Sequence, residues 1–405
     1  MACIIKIYMS LLWDKVSAMQ KEKLKVAVFY RGYTPAKNFG GPVVSIRNII
    51  ESCGDEIDFY VITLEHDKGS AVRYENIAPG PNRVGRATVY YLNDNQAHYD
   101  GFKELLKGIR PDIIYQNSFF GYTFSLPVLK LSKEMAIPLV LAPRGELCDA
   151  AYKMGHLKKL LYKRFVLVRY DLSRVIFHLT SEDEYAQTMK NLRLSPENMC
   201  YIPAIPTIPG KKYKKPEKLP GEIRLVFLSR IVKNKNLDYA LKLLVRMKAN
   251  AEFDIYGQVE DADYFDRCLA LIKNLPSNIK ARYRGVAEPG QVHRIFAEHH
   301  LLLFPTQTEN YGHVIAEAML SGCPVIISEN TPWTDLRDAG AGWALPLEDE
   351  DKFLHALNEA ANYDAGEYGA LLKRCEKYIM SKVELNRLRA RYIQMFSEAG
   401  RKNKL

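Results

Sequence analysis

Residues 304–329, FPTQTENYGHVIAEAMLSGCPVIISE, read as a strand end, a turn, a helix and a second strand. The first strand is 301–304; Pro305 stops it, because a residue without an N–H cannot extend a ladder. A helix of about ten residues is expected from Asn310 or Tyr311, with Asn as N-cap and Gly312 giving close backbone approach. Ser321-Gly322 ends it, and Pro324 opens a buried strand at 325–327. Two carboxylates mark the segment. Glu309 sits just before the helix, and Glu317 lies inside it among Val314, Ile315, Ala316, Ala318 and Met319. A carboxylate in so apolar a helix is costly unless it is hydrogen-bonded. Ionised, it can accept from both hydroxyls of a sugar diol. The backbone N–H groups of Tyr311, Gly312 and His313, with Val314 next, form an anion seat at the helix start. The plainer alternative is one surface Glu and one Glu paired with a basic neighbour.

Three more segments carry candidate chemistry. In 229–244, SRIVKNKNLDYALKLL, Arg230 and Lys235 lie on the loop into a helix starting near Asn236. Two cations beside a helix N-terminus suit a diphosphate. Near the N-terminus, Gly40-Gly41 precedes Pro42, a residue suited to the first helical turn. That pair is either a tight turn or a close approach to an anion; it is neither a dinucleotide fingerprint nor a P-loop. In APRGEL, 142–147, the Arg144 guanidinium can bind an acceptor phosphate or a sugar carboxylate. It cannot act as a base, because Arg stays protonated; a capping or ion-paired Arg is the alternative.

Continuous apolar runs such as LKVAVFY at 24–30 suit buried parallel strands. Further strands are expected at 57–63, 88–92, 112–116, 139–142, 175–179 and 199–202. After the Pro-, Gly- and Lys-rich stretch 203–221 come strands at 223–229, 253–256, 281–284, 301–304 and 325–327. Strands alternating with helices imply α/β architecture and parallel sheets, whose ligands bind at the C-terminal strand ends. The expected division is an extension at 1–18, a first Rossmann-like domain at 19–205 and a linker at 206–221. A second Rossmann-like domain at 222–380 follows, then a terminal helix at 381–405 with a frayed RKNKL tail. MQKEKLKVAVFY reads as a natural start, with translation beginning at Met19.

The chain has 405 residues, seven scattered Cys without a CxxC pair, and a formal net charge of +10. Unpatterned cysteines point to reduced thiols and a cytoplasmic protein; no transmembrane run or signal peptide is read. The basic balance suits anionic membranes, phosphorylated ligands or nucleic acid. In 154–174, Leu157, Leu160, Leu161, Phe165 and Val168 share one helical face beside six basic residues and Asp171. That face either packs on the core or lies on an anionic membrane. Ser181 is an expected N-cap with Glu184 at the capping-box position. Asp261-Ala262-Asp263 is expected to start a helix, not bind metal, and His293, His299 and His300 share no zinc pattern.

TENYGHVIAEAMLSGCPVIIS resembles the Glu-x7-Glu signature of the retaining glycosyltransferases of family 4, the group 1 enzymes of the GT-B fold. The resemblance runs from about Leu24 onward, closely in the second half and loosely in the first. It implies two doubly wound domains facing across a cleft. It also implies that Glu309 touches the donor sugar and acts in catalysis with Arg144, that Glu317 holds the ribose, and that Arg230 and Lys235 bind the diphosphate. Gly257 and Val286 take positions where relatives approach the base through backbone, and Gly40-Gly41 resembles the loop facing the donor phosphates. Pro203-Ala204 replaces the usual PNG turn, and 331–346 is a loop similar to those of sugar transferases. The implied activity is metal-independent, retaining transfer from a nucleotide-diphospho-sugar, without cofactor or nucleic acid. The implied acceptor is a glycan or lipid-linked intermediate of surface polysaccharide synthesis, with peripheral contact on an anionic membrane. The rivals are a nucleotide-sugar epimerase on the same fold, which needs no acceptor, and a non-enzymatic basic protein, whose binding falls steeply with salt.

Overall fold

The structure, a computed structural model, describes residues 23–149 and 156–402. The expectations for 1–18, for the Met19 start and for the 403–405 tail lie outside the described residues. The strands are β1 Leu24–Phe29, β2 Ile57–Leu64, β3 Pro81–Val84, β4 Ala87–Leu92, β5 Ile113–Asn117, β6 Leu139–Ala142, β7 Val175–Leu179 and β8 Met199–Tyr201. They continue with β9 Glu222–Leu228, β10 Asn250–Tyr256, β11 Ile279–Tyr283, β12 Leu301–Phe304, β13 Val325–Ser328 and β14 Trp343–Leu345. The helices are α1 Gly41–Cys53, α2 Tyr99–Ile109, α3 Tyr122–Glu134, α4 His156–Arg169, α5 Glu182–Leu192 and α6 Leu237–Val245. The rest are α7 Ala262–Lys273, α8 Val292–Ala297, α9 His313–Leu320, α10 Glu350–Asn362, α11 Ala365–Lys382 and α12 Leu385–Lys402.

The strands form two sheets, one in each half of the chain. The first runs β3-β4-β2-β1-β5-β6-β7-β8, parallel except at the β3–β4 edge. The second runs β11-β10-β9-β12-β13-β14 and is parallel throughout. The central strands β5, β6, β12 and β13 are buried along their whole length. That is why their sequences are continuous apolar runs: helices cover both faces. β3 and β14 were not expected. β3 is polar and half-exposed, and β14 is three residues inside the stretch read as a loop. Such edge strands take their order from the neighbouring ladder, not from their own pattern.

α12 returns to the first sheet. Leu388, Tyr392, Met395, Phe396 and Ala399 pack with Val26, Val28, Phe59 and Tyr115 in one core. The Arg389 guanidinium donates to the Ser52 carbonyl at 2.8 Å, and the Tyr392 hydroxyl donates to the Pro203 carbonyl at 3.2 Å. The segment joining the sheets is pinned at Lys218. Its buried ammonium donates to the carbonyls of Leu219, Ala361 and Tyr363 at 2.8, 2.7 and 2.9 Å, so no counter-charge is needed to satisfy its three donors.

α9 starts two or three residues later than the sequence suggests. Gly312, at φ 75°, is its N-cap, and no side chain caps it. Left-handed backbone there favours glycine. Asn310 is drawn away to the first domain, as described below. Asp261 caps α7 by accepting from the Tyr264 N–H at 2.9 Å, the helix-start role expected of it.

Candidate active site

Residues from both halves of the chain line a cleft of about 510 Å³. The wall from the second domain is built by two loops tied together. After β9, Asn236 enters α6 at φ 63° and its side chain donates to the Pro305 carbonyl at 3.0 Å, just past β12. Gln307 N–H donates to the Asn234 carbonyl at 2.9 Å. This bracing holds Lys235 and Glu309 side by side as an ion pair. Their side chains are only 10% and 15% exposed, so solvent screens the pair little. Arg230 lies further out and is bonded to Glu260 at 2.7 Å.

Glu317 is half-buried and faces the cleft from α9. Burial pushes its carboxyl up from the usual range to about 7, while the Thr207 hydroxyl and Arg47 favour the anion. Tyr311 is buried against Trp333 and His313, and the Trp333 indole N–H donates to the Tyr311 carbonyl at 2.7 Å. This fixes the turn that aims the first N–H groups of α9 into the cleft, where no intrahelical acceptor meets them.

The opposing wall comes from the first domain. Gly40 ends the β1 loop at φ 69°, and a Cβ there would stand 3.7 Å from Arg230 Nε. Gly41 similarly approaches the His313 ring. Arg144, after β6, adopts φ 58°, a conformation uncommon for a bulky residue. Two bonds hold it: Nε donates to Asn117 Oδ1 at 2.9 Å and Nη2 donates to the Tyr115 oxygen at 2.7 Å. His178 Nε2 lies 3.1 Å from the Ile202 carbonyl and so must carry its proton. Its Nδ1 then accepts from the Tyr115 hydroxyl at 2.8 Å. Burial and Arg144 hold His178 near 3, so it stays neutral. Arg144 Nη1 and Asn117 Nδ2 are buried without a partner. Beside them Glu146 accepts from Ser118 Oγ and the Phe119 and Phe120 N–H groups at 2.7, 2.7 and 2.9 Å, while burial pushes its carboxyl up.

The two walls touch. Ser45 Oγ and His313 Nε2 are 2.7 Å apart, and burial with Arg144 and Arg47 holds His313 near 3. Asn310 reaches across the cleft: its Nδ2 donates to Thr180 Oγ1 at 2.8 Å and Glu184 Oε2 at 3.1 Å, and its Oδ1 accepts from Ser181 Oγ at 2.8 Å. Glu184 also accepts from the Thr180 N–H at 2.8 Å and from the Gly145 N–H. Ser181 does cap α5, accepting from the Glu184 N–H at 3.1 Å. The Glu184 carboxylate, however, serves Thr180, Gly145 and Asn310 instead of closing a capping box. Lys37 and Glu288 add an exposed pair at 2.9 Å between the domains.

Eleven of the thirteen residues singled out from the sequence therefore line one cleft: Gly40, Gly41, Arg144, Arg230, Lys235, Glu309, Tyr311, Gly312, His313, Val314 and Glu317. Gly257 and Val286 do not line it. Gly257 stands directly behind: a Cβ there would fall 1.6 Å from the Ser229 carbonyl oxygen, and Ser229 is in the lining. Val286 is half-exposed nearby on the loop after β11. Sequence reasoning missed Ser45, Asn117, Asn310's crossing role and the Glu260 partner of Arg230. These are ordinary polar residues whose meaning appears only when two domains face each other.

Two parallel doubly wound domains with a shared cleft at their C-terminal strand ends define the GT-B fold. Sucrose-phosphate synthase from Thermosynechococcus elongatus superposes with a TM-score of 0.73 at 15% identity, covering 93% of this chain and 99% of that one. Anabaena HepE, solved in complex with UDP and glucose, gives 0.71 at 14% identity over 93% and 100%. WaaG, a glycosyltransferase involved in lipopolysaccharide biosynthesis, gives 0.67 at 16% over 92% and 99%. Residues 210–379 match the family model described as Glycosyl transferases group 1. An uncharacterized 41.2 kDa protein in the cps region of Klebsiella pneumoniae is 23% identical over 188 residues. That match spans 46% of this chain and about half, 49%, of the Klebsiella protein.

Proposed function

We propose that this protein is a glycosyltransferase that moves a sugar, with retention of anomeric configuration, from a nucleotide-diphospho-sugar to an acceptor hydroxyl. The observation that carries this reading is the convergence of Arg230, Lys235, Glu309, Glu317 and the α9 N-terminus on one cleft. The two cations and the α9 amides face the diphosphate. As the bond from the anomeric carbon to the phosphate oxygen breaks, they stabilise the charge gathering on the leaving group, and no metal is called on for that step. Glu309 offers its carboxylate to a sugar hydroxyl, and Glu317 accepts from the ribose diol. The acceptor oxygen attacks from the face the phosphate leaves, and its proton passes to the leaving diphosphate. Arg144, pre-bonded on two nitrogens with Nη1 unpartnered, positions a phosphate or carboxylate of the acceptor. The acceptor is a lipid-linked or polysaccharide intermediate of surface glycan synthesis, met at the inner face of an anionic membrane. Such a role fits a relative in a cps region and neighbours such as WaaG.

The test is incubation with nucleotide sugars chosen by thermal shift, with and without candidate acceptors. Nucleoside diphosphate is expected only when an acceptor is present, and the product's anomeric proton coupling should match the donor's. Turnover of the donor alone to an epimer would overturn the reading.

A pH dependence follows from Glu317. The folded protein holds its proton up to about pH 7, whereas an ordinary Glu releases it near 4.3. This burial term therefore costs stability progressively as pH rises between those values, the reverse of a salt-bridged carboxylate. If the ribose is gripped by the anion, UDP-glucose binding should strengthen about tenfold from pH 6 to pH 8 and release a proton. Calorimetry in buffers of different ionisation enthalpy measures both. In Glu317→Gln the affinity should be weaker and flat with pH; a flat profile in the unaltered protein would count against the assignment.

A further inference from the structure

The amphipathic helix α4 faces the opposite way from a core helix. Its inward side is Tyr162 and Val166, both buried. About a third of a turn round the helix, the residues read from the sequence as a single apolar face point to solvent. Leu157 is 69% exposed, Leu161 61%, Phe165 53% and Val168 82%. At 3.6 residues per turn these positions share one stripe, so the face is unburied as a unit. Tyr122, at the start of α3, extends it and is half-exposed. Between Tyr122 and Phe165 runs a groove of about 420 Å³, lined also by Leu126, Lys158 and Leu161. Soluble proteins rarely leave so contiguous an apolar surface open without a partner.

The charge around the stripe says what that partner is. Lys158, Arg164 and Arg169 are exposed on the same helix, and the Arg174 side chain beyond it is 85% exposed. Among residues 156–174 only Asp171 is acidic. An apolar stripe bordered by cations is the composition of a helix lying in the plane of an anionic bilayer surface. No helix among the described residues is long and apolar enough to cross a membrane. The position fits too. Tyr162 packs on Phe119 and Phe120, with ring centroids 5.7 and 5.5 Å apart, and the N–H groups of those two residues hold Glu146 in the cleft. The stripe is thus one layer from the first-domain wall that holds Arg144.

We propose that the outer face of α4, with Tyr122, is where the protein docks on anionic phospholipid, its apolar side chains entering the headgroup boundary and its cations meeting lipid phosphates. The contact stands on exposure and charge alone. Its purpose, bringing the acceptor side of the cleft to a membrane-borne glycan, rests on the transferase reading.

The test uses the full chain and its Leu161→Glu/Val168→Glu variant, both positions being exposed. Co-sedimentation is measured with vesicles of phosphatidylglycerol in phosphatidylcholine and with phosphatidylcholine alone, at low and high salt. The unaltered protein should prefer the anionic vesicles, less so at high salt, and the variant should lose roughly tenfold or more of that binding. Melting temperature, UDP-glucose binding and transfer to a soluble acceptor should be unchanged in the variant. Equal vesicle binding by both proteins would overturn the proposal. So would a dimer of the unaltered protein in solution that the variant dissolves, because the stripe would then cover a second copy. Absence of binding by every nucleotide sugar screened, in both proteins and with the vesicle difference intact, would instead sink the transferase reading and leave the docking surface standing.

Discussion

Lys235→Ala should lower glycosyl transfer by about 10² to 10³-fold, the usual cost of deleting one preorganised group that meets developing charge. The loss should fall mainly on kcat, because the leaving group is most negative in the transition state. The variant should also be less stable. Lys235 and Glu309 form a mostly buried pair, and removing one member strands the other, at about 3 kcal/mol. The two effects separate in Lys235→Met/Glu309→Gln, which strands neither charge. That double variant should recover most of the melting temperature and none of the activity. Full activity in Lys235→Ala, measured as acceptor-dependent diphosphate release, would remove this residue from the mechanism and weaken the whole donor assignment.

Glu184→Ala should be the most damaging single change to the fold itself. Its side chain is wholly buried and satisfies the Gly145 and Thr180 N–H groups, the Thr180 hydroxyl and the Asn310 amide. Deleting it leaves several buried donors unmet, and each carries its own desolvation cost. A loss of at least about 3 kcal/mol is expected, a fall of roughly 6–12 °C in the melting of a domain this size. Asn310→Ala removes only the bonds that cross the cleft and should cost about 1 kcal/mol. Its signature should instead be a raised donor KM, because the walls are held together less often. A Glu184→Ala protein melting within a degree or two of the parent would show that other groups satisfy those donors.

Much of the fold was legible because buried parallel strands leave an unmistakable record. LKVAVF and VIIS have no polar alternation, so both faces had to be covered. The second-domain wall of the cleft was equally readable: Glu309, Glu317, Arg230 and Lys235 are chemically unusual for their surroundings, and local spacing carries their relation. The other wall was not. Arg144 was visible, but Asn117, Tyr115 and His178, which fix its guanidinium, come from two other strands, and no periodicity links them. Asn310 was misread as a cap because the local rule is strong. A partner 130 positions away in Thr180 outweighed it. The face of α4 was identified correctly as apolar, but amphipathicity gives a helix's two sides without saying which is turned inward.

The pairing of Lys235 with Glu309 and Arg230 with Glu260 has one more implication. With Lys235 and Arg230 already answered by acids, that side of the cleft projects little net positive field, so stray phosphate or a bare nucleoside monophosphate should gain little by entering. In the proposed reaction a nucleotide-diphospho-sugar would replace both partners together, offering a diphosphate to the bases and hydroxyls to the released carboxylates. Discrimination would then lie in the exchange of partners, with the same acids that turn simpler anions away serving as ligands for the larger guest.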